Sequence, residues 1–148
     1  TDGNASSGCE CSEGPSDPSA FCIGAADLGM LKDSAENSTT FSGKLPVAGD
    51  VDLIRFYAHD ASQFFSDEFM VKIRLSSSDP GIRMCIYQHQ GAHDSDCYWT
   101  SENCPGSYFE KDGSNGVDDN ADYLIKVFRD AASKPTCAGY SVFVSNGQ

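Results

Sequence analysis

The segment Phe69 to Leu75 alternates apolar and polar side chains without a break. Phe69, Val71, Ile73 and Leu75 fall on one side of an extended chain. Met70, Lys72 and Arg74 fall on the other, the period-two signature of a half-buried strand. Upstream, Val51 to Ala58 is dense in β-branched and aromatic residues and follows Gly49-Asp50, a turn signal. It reads as a loop entering a core strand. Together the two segments are expected at the centre of an antiparallel sheet. Ile82 to Gln88 sets Met84 and Ile86 on one face and Cys85 and Tyr87 on the other. Tyr123 to Arg129 turns Tyr123, Ile125 and Val127 inward, and Tyr140, Val142 and Val144 close the chain with a last alternating strand. Thr39 to Leu45 is a further strand, ended by Pro46. Phe21 to Ile23 and Leu28 to Leu31 are short apolar pieces suited to edge strands. Asp33 to Ser38 is a polar loop, and Asp79-Pro80-Gly81 is a strong turn signal. No window of useful length carries a 3.6-residue period. Strands at this spacing, with no helices between them, predict an all-β, antiparallel sandwich.

Two stretches fall outside that pattern. Residues 1–20 are poor in apolar side chains and rich in Gly, Ser, Pro and acid, the composition of a tail or linker. Such a tail is held either by a disulfide through Cys9 or Cys11 or by a neighbouring subunit. The sandwich is expected over 21–148, with a long, turn-rich insertion from His89 to Asn120. Tyr98-Trp99 and Tyr108-Phe109 are candidate short strands within it.

The length of 148 residues allows one domain with a proper core, thin because only 39% of the residues are hydrophobic. Ten basic residues against 22 acidic ones give a net charge of −12. Phosphate contacts would be made against a repulsive field, which argues against nucleic acid and anionic membrane. No apolar run is long enough to span a bilayer, and no signal peptide is present. Thr1 is therefore expected to be a mature or trimmed start.

Seven cysteines in a small Gly- and Ser-rich chain point to disulfides and an oxidising, extracellular or cell-surface setting. Cys97 and Cys104 bracket a short Trp-containing loop and are the first candidates for a bridge. Cys85 and Cys137 are a second candidate pair, across neighbouring strands, and Cys11 (or Cys9) with Cys22 a third. The odd count leaves one over, either a buried thiol or a link to another chain. A zinc site is the rival reading, but the CxxC pairs it would want are missing.

The order of several short signals resembles a known family. Leu28-Gly29 precedes the Ser42-Gly43-Lys44-Leu45 strand. Gly49-Asp50-Val51-Asp52 leads into Arg55-Phe56, and Asp79-Pro80-Gly81 precedes a strand ending in Tyr87. Ala121-Asp122-Tyr123-Leu124-Ile125-Lys126-Val127 is followed by Tyr140-Ser141-Val142. This looks like the bacterial pre-peptidase C-terminal domain, in the cysteine-containing version found on secreted proteins of myxobacteria. The resemblance covers roughly Phe21 to Asn146. It implies a jelly-roll-like sandwich, appended to secreted enzymes and not itself catalytic. Some relatives bind collagen or polysaccharide, and some bind Ca²⁺. The chain departs from the pattern at Leu53, where the family often has an aromatic residue, and in the long insertion with its two cysteines.

The loop from Asp112 to Asn120 is the densest in side-chain oxygen. Asp112, Ser114, Asp118 and Asp119 suit Ca²⁺, which takes six to eight oxygen ligands. A solvated hairpin loop with Asn-Gly and Asp-Gly turns accounts for the same residues and stands somewhat ahead. Asp50 can cap the Gly-Asp turn, and Asp52 can pair with Arg55 or Arg74 or join a Ca²⁺ shell; turn chemistry is the stronger reading. His89 and His93, with Asp94 and Asp96, carry a weak transition-metal signal. Tyr98, Trp99, Tyr108 and Phe109 are candidate ligand-binding rings, or rings covering the sandwich end. Asn4 and Asn37 sit in glycosylation sequons. No Ser/His/Asp set has a recognisable context, no nucleophile elbow or zinc-protease motif is present, and 22 acids offer many carboxylate pairs for a hydrolase with nothing to single one out, so no enzyme is expected. The expectation is a secreted, non-catalytic module that binds an extracellular protein or polysaccharide. The alternative is a structural subunit of an extracellular filament or surface layer. There the N-terminal tail would add a strand to the sheet of a neighbouring copy.

Overall fold

The computed structural model describes residues 24–33, 37–60, 69–90, 101–113 and 119–147. Nine strands run through them: β1 Ala26–Lys32, β2 Asn37–Lys44, β3 Val51–His59, β4 Met70–Ser77, β5 Ile82–Gln90, β6 Ser101–Gly106, β7 Tyr108–Asp112, β8 Ala121–Arg129 and β9 Gly139–Asn146. They form two sheets with the orders β1-β3-β8-β5-β6 and β2-β9-β4-β7. The expected all-β sandwich is the fold. All pairs are antiparallel except β1 with β3, which run parallel, Ala26 opposite Ile54 and Lys32 opposite His59.

The alternating patterns place the core. Phe69, Val71, Ile73 and Leu75 point from the four-stranded sheet toward Met84, Ile86, Tyr123, Ile125 and Val127 of the five-stranded one, and all are buried. The expectation that β3 and β4 share one sheet is corrected. The two strands lie in different sheets, facing each other across the core, and each pairs within its own sheet: β3 with β8, β4 with β9. β3 is also buried on both faces. Ile54, Phe56 and Ala58 face the four-stranded sheet, while Leu53, Arg55 and Tyr57 lie on the far side and are 9% exposed or less.

Strand alternation also settles the acids of β3. Asp52 shares the inward parity of Ile54, so its partner is the hydroxyl of Tyr140 from the opposite sheet, at 2.5 Å. Arg55 points to the other face, 3.6 Å from Asp122, and Arg74 sits over the Tyr108 ring on the outside of the second sheet. The turn beside Gly49, at φ +82°, is closed by the backbone N–H of Asp50 on the Val47 carbonyl.

At the far end of the sandwich the Asp79-Pro80-Gly81 turn is clamped. The Asp79 carboxylate accepts from Arg129 (2.5 Å), Thr136 (2.6 Å) and the Gly81 N–H (2.9 Å). Arg129 in turn donates to the carbonyls of Leu45 and Lys134. Burial pushes the Asp79 carboxyl up, but the Thr136 hydroxyl, the guanidinium and the Gly81 N–H together hold it below its ordinary pKa.

Candidate functional site

The His89–Asn120 insertion contributes one strand to each sheet. β6 extends the five-stranded sheet beside β5, and after Gly106 the chain crosses over so that β7 extends the other beside β4. Gly106 makes that crossing at φ +91°, a backbone state that side chains rarely adopt. The sandwich is therefore open along one side, between the edge strands β6 and β7.

A groove of about 270 Å³ lies there, lined by Ile86, Gln88, Glu102, Asn103, Phe109, Glu110 and Lys111. Strand parity explains who stands where. Asn103 is opposite Ile86 and shares its inward side, with Gln88 two residues on; Phe109, opposite the inward Ile73, and Lys111 face in from the other sheet. Glu102 and Glu110 have outward parity and form the rims. Each rim carboxylate is held by a tyrosine: Tyr87 Oη donates to Glu102 at 2.6 Å and Tyr108 Oη to Glu110 at 2.8 Å. Burial, with Glu102 as acceptor, pushes the Tyr87 phenol up to about 12. The Glu110 hydrogen bond raises that of Tyr108.

The groove thus offers one ring as a floor, two fixed carboxylates, two amides and one ammonium. Among the described residues it holds no nucleophile with an adjacent base. Its chemistry suits a neutral molecule rich in hydroxyl groups, and the surrounding negative charge disfavours anions.

The expected ring surface is split by the geometry. Tyr108 and Phe109 are neighbours on a strand and so point to opposite faces. Phe109 packs edge-on to Tyr123 at 6.0 Å and joins the core, while Tyr108 is 41% exposed on the outer face under Arg74. Tyr98 and Trp99 lie outside the described residues, as do His93, Asp94, Asp96, Asn4 and the N-terminal tail. Asn37 begins β2, and its amide nitrogen donates to the Lys32 carbonyl. Of the acidic-loop residues, Asp112 is exposed at the end of β7 and Asp119 is buried before β8; Ser114 and Asp118 lie outside the described residues.

The disulfide pairing is corrected. Cys85 bonds Cys104, so neither the Cys97–Cys104 nor the Cys85–Cys137 bridge exists. The reason is register. The β5–β6 pairing runs from Met84 opposite Gly106 to Ile86 opposite Asn103, with a shift between them, and this brings the two cysteines together at a Cα separation of 4.0 Å. Sequence spacing favoured the near neighbour Cys97, but the strand pairing decides. Cys137 is disulfide-bonded as well, and no described cysteine is free. The expected Cys11–Cys22 bridge lies outside the described residues.

Gln88, Glu102, Asn103, Glu110 and Lys111 were not candidates in the sequence, where they carry no motif. The only available signal is the pair of tyrosines placed to reach the two glutamates, Tyr87 and Tyr108. The chain matches no protein-family model and no curated protein.

Proposed function

We propose that the protein is a secreted, non-catalytic β-sandwich module that binds an extracellular polysaccharide in the groove between β6 and β7. The observation that carries this reading is the groove itself: Phe109, Gln88, Asn103 and Lys111 face in between the two sheets, and Glu102 and Glu110, each tied to a tyrosine hydroxyl, stand at its rims. Fixed acceptors flanking an apolar ring match the alternating hydroxyl and C–H faces of a sugar. The Cys85–Cys104 bridge across an edge strand and the strong acidity support an extracellular setting. The resemblance to the pre-peptidase C-terminal domain points the same way.

The test is native gel electrophoresis through a panel of neutral polysaccharides. Retardation by at least one of them is expected. The double variant Glu102→Gln/Glu110→Gln should weaken it about tenfold, the effect of one or two altered hydrogen bonds. Binding that is unaffected by that variant, or no retardation by any neutral polysaccharide, would refute the reading. Release of sugar fragments would instead show a paired-carboxylate hydrolase.

A further inference from the structure

The end of β9 carries a chemical liability that the fold holds shut. Asn146 is followed by Gly147. An asparagine before glycine is the one most open to attack on its side chain by the next backbone nitrogen, because glycine puts no Cβ in the way and turns freely. Asn146 has the inward parity of Val142 and Val144 and is fully buried. Its side chain spans the sandwich. Oδ1 accepts the Met70 N–H at 3.3 Å, from β4 of its own sheet. Nδ2 donates to the carbonyls of Leu31 in β1 (2.8 Å) and His59 in β3 (3.1 Å), both in the other sheet. One amide thus ties β1, β3 and β4 to β9, and it uses both of its donors to do so.

The atoms that deamidation needs are all engaged. The nucleophile is the Gly147 nitrogen, and its N–H donates to the Met70 carbonyl at 3.2 Å. The leaving group is the Asn146 amide nitrogen, which holds the Leu31 and His59 carbonyls. Gly147 is itself buried, at φ +102°, so the pair is shielded from the water that the reaction consumes. The product does not fit the same place. An aspartate at 146 has no N–H to donate, and its carboxylate would face two carbonyl oxygens next to the buried Asp60. Both the acid and the abandoned carbonyls would then be buried without partners.

We propose that Asn146-Gly147 is a deamidation site guarded by the fold, and that time spent unfolded converts the chain to a form that does not refold. In the unfolded chain the Gly147 nitrogen attacks Asn146 Cγ. An N–Cγ bond forms and the Cγ–Nδ2 bond breaks. The proton lost from the Gly147 nitrogen is returned through water to the departing nitrogen, which leaves as ammonia. Water then opens the resulting succinimide ring at either carbonyl, giving aspartate or isoaspartate. The net exchange is amide and water for carboxylate and ammonium, with no oxidant or reductant. The isoaspartate form also lengthens the backbone at the end of β9 and displaces the Gly147 N–H from Met70. This inference stands apart from the polysaccharide groove.

The experiment holds the whole chain, disulfides intact, at mildly alkaline pH in native buffer and in guanidinium chloride. Peptide mass mapping follows residue 146. The Asn115→Gln variant removes the other Asn-Gly pair of the sequence, so that losses are assigned to Asn146. Conversion at Asn146 is expected to be at least about tenfold faster in denaturant, since the native sample exposes the site only in its small open population. After dilution, the fraction that refolds should fall in step with conversion at 146, in wild type and in Asn115→Gln alike. Gly147→Ala crowds the nucleophile and should slow conversion in denaturant. That comparison is made on unfolded chains, so it holds even if the variant does not fold. Equal rates in native buffer and denaturant would overturn the proposal. So would converted chains that refold with the Tm of wild type, or a Gly147→Ala chain that converts at the wild-type rate.

Discussion

The hydroxyl of Tyr140 donates to Asp52 across the interior, from β9 of one sheet to β3 of the other. It is a polar strut in an otherwise apolar core. Its room is made by Gly43, where an added Cβ would lie 2.6 Å from that hydroxyl. Tyr140→Phe should lower unfolding free energy by about 1–3 kcal/mol, because Asp52 stays buried with one partner fewer. Gly43→Ala should cost a similar amount through displacement of the ring. The double variant should cost less than the sum, since a ring without the hydroxyl leaves more space. Urea denaturation of the three variants measures this; strict additivity would separate the two effects.

The Asp79 clamp makes stability depend on acid. The folded pKa of Asp79 is depressed, so its contribution is fully present above the unfolded value and is lost as pH falls through the folded one. Asp79→Asn should therefore be about 1.5–3 kcal/mol less stable than wild type at pH 7. The gap should narrow below about pH 4, where the unfolded carboxyl begins to protonate. Chemical denaturation from pH 2 to 7 tests this, and a gap of constant size would contradict it.

The Cys85–Cys104 bridge closes a separation of 19 residues. Replacing both cysteines by alanine should cost about 3 kcal/mol through the gain in unfolded-chain freedom. It should also weaken polysaccharide binding more than Tm alone accounts for. β6 is an edge strand paired only with β5, and it supplies Glu102 and Asn103 to the groove. Calorimetry and gel retardation on the same variant would show both effects.

Tyr87 should titrate late. Its phenol is held protonated by burial and by Glu102, with a pKa of about 12 against an ordinary 10. The difference in absorbance at high pH between wild type and Tyr87→Phe isolates it. Glu102→Gln should shift its titration back toward 10, because an amide is a weaker, uncharged acceptor. If Glu102→Gln leaves it unchanged, the rim contact is absent in solution.

The strands that alternate cleanly were legible in the sequence: β4, β5, β8 and β9 lie where their apolar positions place them. β6 was not. Ser101-Glu102-Asn103-Cys104-Pro105-Gly106 has the composition of a turn, and it is a strand because β5 pairs with it and Cys85 bonds to it. The sheet to which each strand belongs was also hidden, because period-two alternation gives a buried face but no neighbour. The site residues share that limit. Glu102 and Glu110 line one groove only because the chain changes sheets at Gly106.

The pairing of β2 with β9 carries one more consequence. Asn37 lies opposite Asn146, so in the four-stranded sheet the second strand pairs with the last. β3 likewise waits for β8, from Val51 opposite Phe128 to Ala58 opposite Ala121. Few of these pairings can form while the chain is incomplete. Loop-closure entropy is met before any contact offsets it, so folding should be slow, on the order of milliseconds to seconds. The four-stranded sheet in particular cannot be completed until β9, the last strand, is available to sit between β2 and β4.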